Sequence, residues 1–128
     1  MTQEQKELLL KDLCARLPYG VICYNSGTES NFRLFDVTDA DSDYPTFDYG
    51  YGELETIKPY LRPMSSMTGE EKKDRDNIVE AVYDGAVIDD EFENVIKYVD
   101  WLNKNHFDYR GLIERNLALD CTGLHIYD

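Results

Sequence analysis

Trp101-Leu-Asn-Lys-Asn-His-Phe-Asp-Tyr-Arg-Gly-Leu-Ile-Glu114 is the stretch that decides the fold, because one helical pattern ends in it and another begins. The asparagines at 103 and 105 allow a helix to stop, and Asp108 is placed to cap a short final helix over residues 109–115. We expect Phe107 and Leu112 to anchor the turn in the core. The stretch is therefore predicted to be a helix-turn-helix corner that closes the core.

The same corner has a catalytic interpretation. His106 could act as a general base and Arg110 as a clamp for an anion, with Asp108 and Tyr109 nearby. Neighbours in sequence usually point in different directions, whereas catalysis needs side chains that converge. We therefore expect Asp108 to cap and Arg110 to pair with one of the many carboxylates, and we assign no catalytic residue.

Two helices are predicted upstream of this corner. Thr68 and Glu71 form a capping box at the start of a helix over residues 68–84. Asp89 or Asp90 is expected to cap the next helix. The apolar stripe of that helix has helical spacing and consists of Phe92, Val95, Ile96, Val99 and Leu102. Downstream, an extended piece over residues 117–121 packs Leu117 and Leu119, and the tail after Thr122 is expected to be loosely held.

The N-terminal segment is predicted to be a helix over residues 2–17. Thr2 and Gln5 match a capping box, and Pro18 ends the helix because it excludes the residue before it from helical geometry. Apolar residues recur at spacings of three and four residues, at Leu9, Leu10, Leu13, Cys14 and Leu17. We expect Cys14 to be a small core residue on this stripe.

Between the helices, the sequence favours a small antiparallel sheet. Residues 20–24 and 31–37 form one predicted pair around a turn, and residues 46–51 and 54–61 add further strands. Pro59 has no N–H to donate, so the last strand is expected to lie at an edge or to end there. The predicted fold is one α+β domain spanning residues 1–128, with an N-terminal helix, three to four antiparallel strands, open or barrel-like, and C-terminal helices packed on them.

Composition narrows the functional classes. The formal net charge of -13 disfavours direct binding to nucleic acid or to anionic lipid, while 42% hydrophobic content with ten Tyr and five Phe favours a folded chain. Three cysteines without a Cys-x-x-Cys pattern indicate neither a disulfide framework nor a zinc site. We found no signal-peptide pattern and no apolar run of membrane-spanning length. A cytoplasmic protein without a membrane anchor is expected.

The most acidic stretch, residues 36–53, contains no Lys or Arg. Asp39, Asp41 and Asp43 resemble the start of an EF-hand calcium loop, but Tyr44 occupies the position of the required Gly, and Gly50 that of the bidentate Glu. His125 likewise contributes to no convincing metal pair. We assign no metal and no cofactor.

Aromatic residues concentrate in the same half of the chain. Tyrosines bordered by carboxylates are typical of protein-binding surfaces, and Arg62 lies between Leu61 and Pro63 in a segment restricted by two prolines. The candidate binding residues are Tyr44, Phe47, Tyr49, Tyr51, Tyr60 and Arg62. They predict a non-enzymatic module that binds a protein partner. Two alternatives stay open: an acidic nucleic-acid mimic that presents residues 36–53 to a DNA-binding host protein, and a small cation-dependent enzyme that uses Asp39, Asp41 and Asp43 or the His106 region.

Three segments also carry a family resemblance. The motifs Lys58-Pro-Tyr-Leu-Arg-Pro-Met-Ser-Ser-Met-Thr68 and Trp101 to Glu114, with Leu13-Cys-Ala-Arg-Leu-Pro-Tyr-Gly-Val21, resemble a family of small uncharacterised proteins from gut Bacteroidetes and their phages or prophages. The resemblance implies a cytoplasmic, phage-associated protein. It implies no activity, cofactor or catalytic residue.

Overall fold

The structure, a computed structural model, describes residues 2–36, 46–47, 50–51, 54–83 and 88–127 of the chain. Within these ranges it contains the helices α1 (Gln3–Arg16), α2 (Gly69–Tyr83) and α3 (Ile88–Lys104). The strands are β1 (Ile22–Asn25), β2 (Ser30–Asp36), β3 (Thr46–Phe47), β4 (Gly50–Tyr51), β5 (Ile57–Pro63), β6 (Phe107–Asp108) and β7 (Leu119–Asp120). The predicted α+β class, with a helix before the sheet and helices after it, is confirmed.

The sheet is mixed and open. Its order is β4-β3-β2-β1-β5-β6, with β7 also paired to β5. The first four pairings are antiparallel as predicted, whereas β6 and β7 run parallel to β5. The antiparallel prediction therefore holds for these four pairings and not for β6 and β7, and of the two predicted forms, open or barrel-like, the sheet has the open one. Helices α2 and α3 connect β5 to β6, and a helical crossover of this kind returns the chain in the same direction.

Pro59 lies inside β5, opposite Cys23, although we expected it to end a strand or mark an edge. The parallel neighbours of β5 pair with it only from Tyr60 onward. Among the described residues, Pro59 thus has a strand neighbour on one side only, which is where a missing N–H is tolerated. The predicted strand over residues 54–61 also starts later than expected, because Leu54–Thr56 forms a 3-10 helix.

Residues 46–47 and 50–51 form two short paired strands instead of the single strand predicted over residues 46–51. Thr46 lies opposite Tyr51 and Phe47 opposite Gly50, in an antiparallel register. An alternating sequence pattern does not distinguish one strand from two short paired strands, because side chains alternate with the same period in both.

Both capping boxes are present, at Thr2 with Gln5 and at Thr68 with Glu71. In α1 the buried face runs through Leu9, Leu13 and Arg16. Cys14 is exposed, so its prediction as a core residue was wrong. Asp12 and Arg16 share the buried face with the leucines. Because both are charged, the spacing of apolar residues did not identify this face.

The main core lies between α1 and the sheet, where Leu9 and Leu13 pack with Val21, Ile57 and Leu61. A second cluster holds Met67, Leu102 and Phe107, with Trp101 stacked on Phe107 at a centroid distance of 5.5 Å. Phe107 and Leu112 have no exposed surface, so the corner at residues 101–114 is anchored as predicted.

Two predictions for the C-terminal helices were wrong. Helix α3 begins at Ile88, so Asp89 and Asp90 occupy positions inside the helix and not the N-cap position before it. The expected helix over residues 109–115 is instead a series of turns. Gly111 has a φ of +72° and therefore leaves the right-handed helical region. No helix in the described ranges is both long and apolar enough to cross a membrane.

Candidate functional site

A cleft of about 570 Å³ lies where three segments meet. The segments are the end of β5 with the start of α2, the turn that follows α3, and the C-terminal tail over residues 121–127. The side chains that face it are mostly polar, and they include Arg62, Glu71, Lys104, His106 and Tyr127. This volume is within the usual range of small-ligand sites.

One wall of the cleft is built by a fixed ion pair. Arg62 donates from Nη1 and Nη2 to the two carboxylate oxygens of Glu71, at 2.8 and 2.7 Å. Glu71 also accepts a hydrogen bond from the backbone N–H of Thr68. The hydrogen bonds from Arg62 hold the pKa of Glu71 at about 2, below its ordinary value. The guanidinium carbon of Arg62 lies 4.2 Å from the centroid of the Phe107 ring, so a cation–π contact also holds this side chain.

His106 contributes to the cleft from the turn after α3. Its φ of +63° is uncommon for a residue with a side chain, and its carbonyl accepts a hydrogen bond from the N–H of Arg62 at 2.8 Å. The Nδ1 atom is buried and has no hydrogen-bond partner among the described residues. Burial, and then the charges of Arg16 and Arg62, lower the pKa of His106 to about 4. The imidazole is therefore neutral near pH 7.

Tyr127 covers His106 from the other side. The two rings stack with centroids 3.5 Å apart. The Tyr127 hydroxyl donates to the carbonyl of Tyr60 at 2.7 Å and accepts from the N–H of Ile22 at 2.9 Å. Burial raises the pKa of this hydroxyl well above its ordinary value. The prediction of a loosely held tail after Thr122 was therefore wrong, because its aromatic residue is bonded to two strands.

Behind the cleft is a buried group of charges. Asp12 and Arg16 have no exposed surface, and Arg16 donates to Asp12 at 2.8 Å and to the Phe107 carbonyl at 2.6 Å. Arg110 donates to the other oxygen of Asp12 at 3.0 Å. Two guanidinium groups therefore share one carboxylate, and Arg16 Nη1 has no hydrogen-bond partner in the described part of the chain. The group carries an excess of positive charge.

The four residues with a possible catalytic interpretation do not converge. The carboxylate oxygens of Asp108 accept hydrogen bonds from the N–H groups of Leu112 and Ile113, each at 2.9 Å. The Tyr109 hydroxyl donates to Asn103. Arg110 pairs with a carboxylate as predicted, and that carboxylate belongs to Asp12. Of the set, His106 alone lines the cleft.

The candidate binding residues are divided among different environments. Tyr60 is only 8% exposed and its hydroxyl donates to Asn31 at 2.8 Å, so it offers little surface to a partner. Arg62 is half-buried in the cleft wall. Tyr44 and Tyr49 lie outside the described residues, and Phe47 and Tyr51 are described through their backbone only. Asp39, Asp41 and Asp43 are also outside the described ranges, so the mimic and cation hypotheses that use them stay predictions.

Two residues of the cleft, Lys104 and Tyr127, were not singled out in the sequence. Lys104 looked like an ordinary last-turn lysine of a helix, and Tyr127 was one of many tyrosines. No local signal identifies either, because the cleft forms only where the tail that follows β7, which pairs with β5, meets the end of α3. Within the described ranges, no cluster of three or more His, Cys, Asp or Glu side chains is arranged to hold a metal ion.

Comparison of the chain with protein-family models, curated proteins and solved structures found no match. The resemblance carried by residues 13–21, 58–68 and 101–114 therefore stays a prediction. The site has to be interpreted from its own chemistry.

Proposed function

We propose that this protein is a non-enzymatic interaction module that binds a protein partner, and that an exposed apolar face of α3 contributes to the contact. The observation that carries the proposal is the exposure of Val95 and Ile96, at 45% and 60%. Both belong to the apolar stripe that we expected to fill the core. Leu102, from the same stripe, is only 3% exposed, so the stripe is buried at its C-terminal end and open to solvent at residues 95 and 96.

The chemistry of the partner follows from the exposed apolar area of α3 and from the net charge of the chain. Full burial of a Val or Ile side chain is worth about 1.5 to 3 kcal/mol, so covering both is favourable. The chain carries a net charge of -13, and complementary charge selects partners and speeds their encounter. The favoured partner therefore presents an apolar groove bordered by Lys and Arg side chains.

Other observations support a binding role. Asp108, Tyr109 and Arg110, which the sequence offered as catalytic groups, are each engaged in contacts that hold the corner together. The tyrosine-rich segment over residues 44–51 is retained as a second candidate contact surface on sequence grounds. None of the three cysteines forms a disulfide, which favours the reducing cytoplasm as the place of action.

The experiment uses the tagged protein as bait in its native host and then measures the affinity of the recovered partner. The test variant is Val95→Ser with Ile96→Ser, and the matched control is Lys97→Ser with Asp100→Ser, two exposed residues of the same helix. We expect the test variant to bind at least about tenfold more weakly, because it removes apolar contact area at the interface. The control should bind within about twofold of the wild type.

A partner that binds both double variants and the wild type equally would contradict the proposal for α3. A further variant, Tyr49→Ala with Tyr51→Ala, examines the sequence-based surface separately. If neither variant alters binding, or if no partner is recovered, the interaction role is wrong. Unchanged thermal unfolding of each variant shows that the fold is intact.

A further inference from the structure

We propose that the cleft between β5, the turn after α3 and the C-terminal tail binds a small ligand that carries a phosphate or carboxylate group, and that Lys104 holds the anionic group. This site is separate from the α3 face of the proposed function. The inference rests on the distribution of charge around the cleft, on the unused ammonium of Lys104, and on the size of the space.

The cleft is a locally positive region on an acidic protein. Its lining contains the permanent cations Arg62 and Lys104 against one carboxylate, that of Glu71. Glu71 is already bonded to both terminal nitrogens of Arg62, so this carboxylate is neutralised by its neighbour. From the interior, the charge of the fully buried Arg16 acts on His106 in the lining of the cleft. An anion in the cleft therefore meets positive potential from the rim and from the interior.

The pKa of His106 is lowered in this cleft. Burial, and then the positive charges of Arg16 and Arg62, lower its pKa to about 4. A neutral imidazole at the floor of the cleft adds hydrogen-bonding capacity without adding charge. The charges of Arg16 and Arg62, which add to burial in disfavouring a proton on His106, favour an anion beside it.

Lys104 is the group best able to contact the ligand. It lies in the last turn of α3, its side chain is exposed, and it lines the cleft. Its ammonium makes no ion pair or hydrogen bond with the part of the chain that the structure describes. Other polar groups of the lining are engaged: Asn105 donates to the Trp101 carbonyl, and Thr122 donates to Asp120. Lys104 thus brings three free donors to the rim.

The size of the site and the net charge of the chain favour a small ligand over a polymer. About 570 Å³ accommodates a metabolite-sized molecule. A nucleic acid would bring many phosphates against a chain with a net charge of -13, whereas a single anionic group interacts mainly with the nearby cations.

The test is titration calorimetry of the whole protein near pH 7 with inorganic phosphate and, separately, with acetate. We expect saturable binding of at least one probe at one site. Lys104→Gln should weaken it about tenfold, because a hydrogen bond to a charged group is lost. The matched control is Lys97→Gln, which makes the same change on the same helix at an exposed residue outside the cleft. This control should bind within about twofold of the wild type.

Binding of phosphate alone identifies a phosphorylated ligand, and binding of acetate alone identifies a carboxylate. Binding of both supports the shared oxyanion chemistry. The proposal is overturned if neither probe binds at about 50 mM, or if Lys104→Gln and Lys97→Gln bind alike. Because Lys104 and Lys97 are both exposed, equal thermal unfolding of the two variants is expected and excludes loss of fold as the cause.

Discussion

The ring of His106 lies against the ring of Tyr127, with centroids 3.5 Å apart and an angle of 9° between the ring planes. The stack joins the turn after α3 to the end of the chain. Because the Tyr127 hydroxyl is also bonded to the backbones of β1 and β5, one side chain ties the tail to three parts of the fold. The tail therefore forms a wall of the cleft and is held there from within the molecule.

Removing the Tyr127 hydroxyl should destabilise the protein. We expect Tyr127→Phe to lower the free energy of unfolding by about 1 to 2 kcal/mol, because the N–H of Ile22 loses its partner. Tyr127→Ala should lower it by about 2 to 4 kcal/mol, since the stacked ring is lost as well. Urea unfolding measures both. Leu124→Ala, at a residue that is 54% exposed, is the control. A Tyr127→Ala variant as stable as this control would show that the tail is not anchored.

The stability of the protein should depend on pH through His106. Its pKa is lowered to about 4 in the fold, compared with an ordinary value of 6.5. Between these values the unfolded chain binds a proton that the folded chain does not, so stability is fully present above pH 6.5 and falls as the pH decreases toward 4. By about pH 5 the loss from this residue should be roughly 2 kcal/mol.

His106→Asn isolates this effect, because Asn tolerates a positive φ and does not titrate. Urea unfolding at about pH 7.5 and about pH 5 gives the change in stability for each protein. The wild type should lose more stability than the variant over this interval. The contributions of the carboxylates are the same in both proteins and cancel in the difference. Equal losses would mean that His106 is protonated as easily in the fold as in the unfolded chain.

The features that the sequence predicted are those determined by a few neighbouring residues. The capping boxes at Thr2 and Thr68 need partners three positions away, and the β1–β2 pair needs only a short turn. Arg62 was noticed because flanking prolines restrict its segment, and the structure places it in the wall of the cleft. Asp108 accepts hydrogen bonds from two following N–H groups, as a capping residue does, although turns and not a helix follow it. All of these are local arguments.

The features that were missed depend on contacts between distant residues. The parallel pairing of β6 and β7 with β5 brings together residues that are far apart in the chain. The sequence of either short strand does not specify this pairing. Cys14 shares helical spacing with Leu10, yet the buried face of α1 follows Arg16, whose partners include the Phe107 carbonyl. Lys104 enters the cleft only because the tail returns to β5.

Breaking the buried charge group should be costly. Asp12→Asn removes the charge that compensates Arg16 while Arg16 stays fully buried, so we expect the free energy of unfolding to fall by about 3 to 5 kcal/mol. Asp76→Asn, in the surface pair with Arg75, is the matched control and should cost at most about 1 kcal/mol. Denaturant unfolding near pH 7 compares them. Similar losses in the two variants would show that Arg16 reaches water.

The three thiols should react at very different rates. Cys14 is exposed, whereas Cys23 has no exposed surface and Cys121 is 7% exposed. With a maleimide at about pH 8, we expect Cys14 to be modified at least about 100-fold faster than the other two, which must wait for local opening. Burial also raises the pKa of the Cys23 thiol. Peptide mapping by mass spectrometry identifies the modified residue.

The labelling experiment also reports on the tail. Cys121 lies at its start and donates its backbone N–H to the Leu61 carbonyl at 3.0 Å, so its protection depends on the contact between the tail and β5. Tyr127→Ala should therefore accelerate modification of Cys121 and leave Cys23 slow, because Cys23 is covered by α1 and the sheet. Leu124→Ala should change neither rate. Rapid modification of Cys121 in the wild-type protein would contradict the tail position from which the cleft is built.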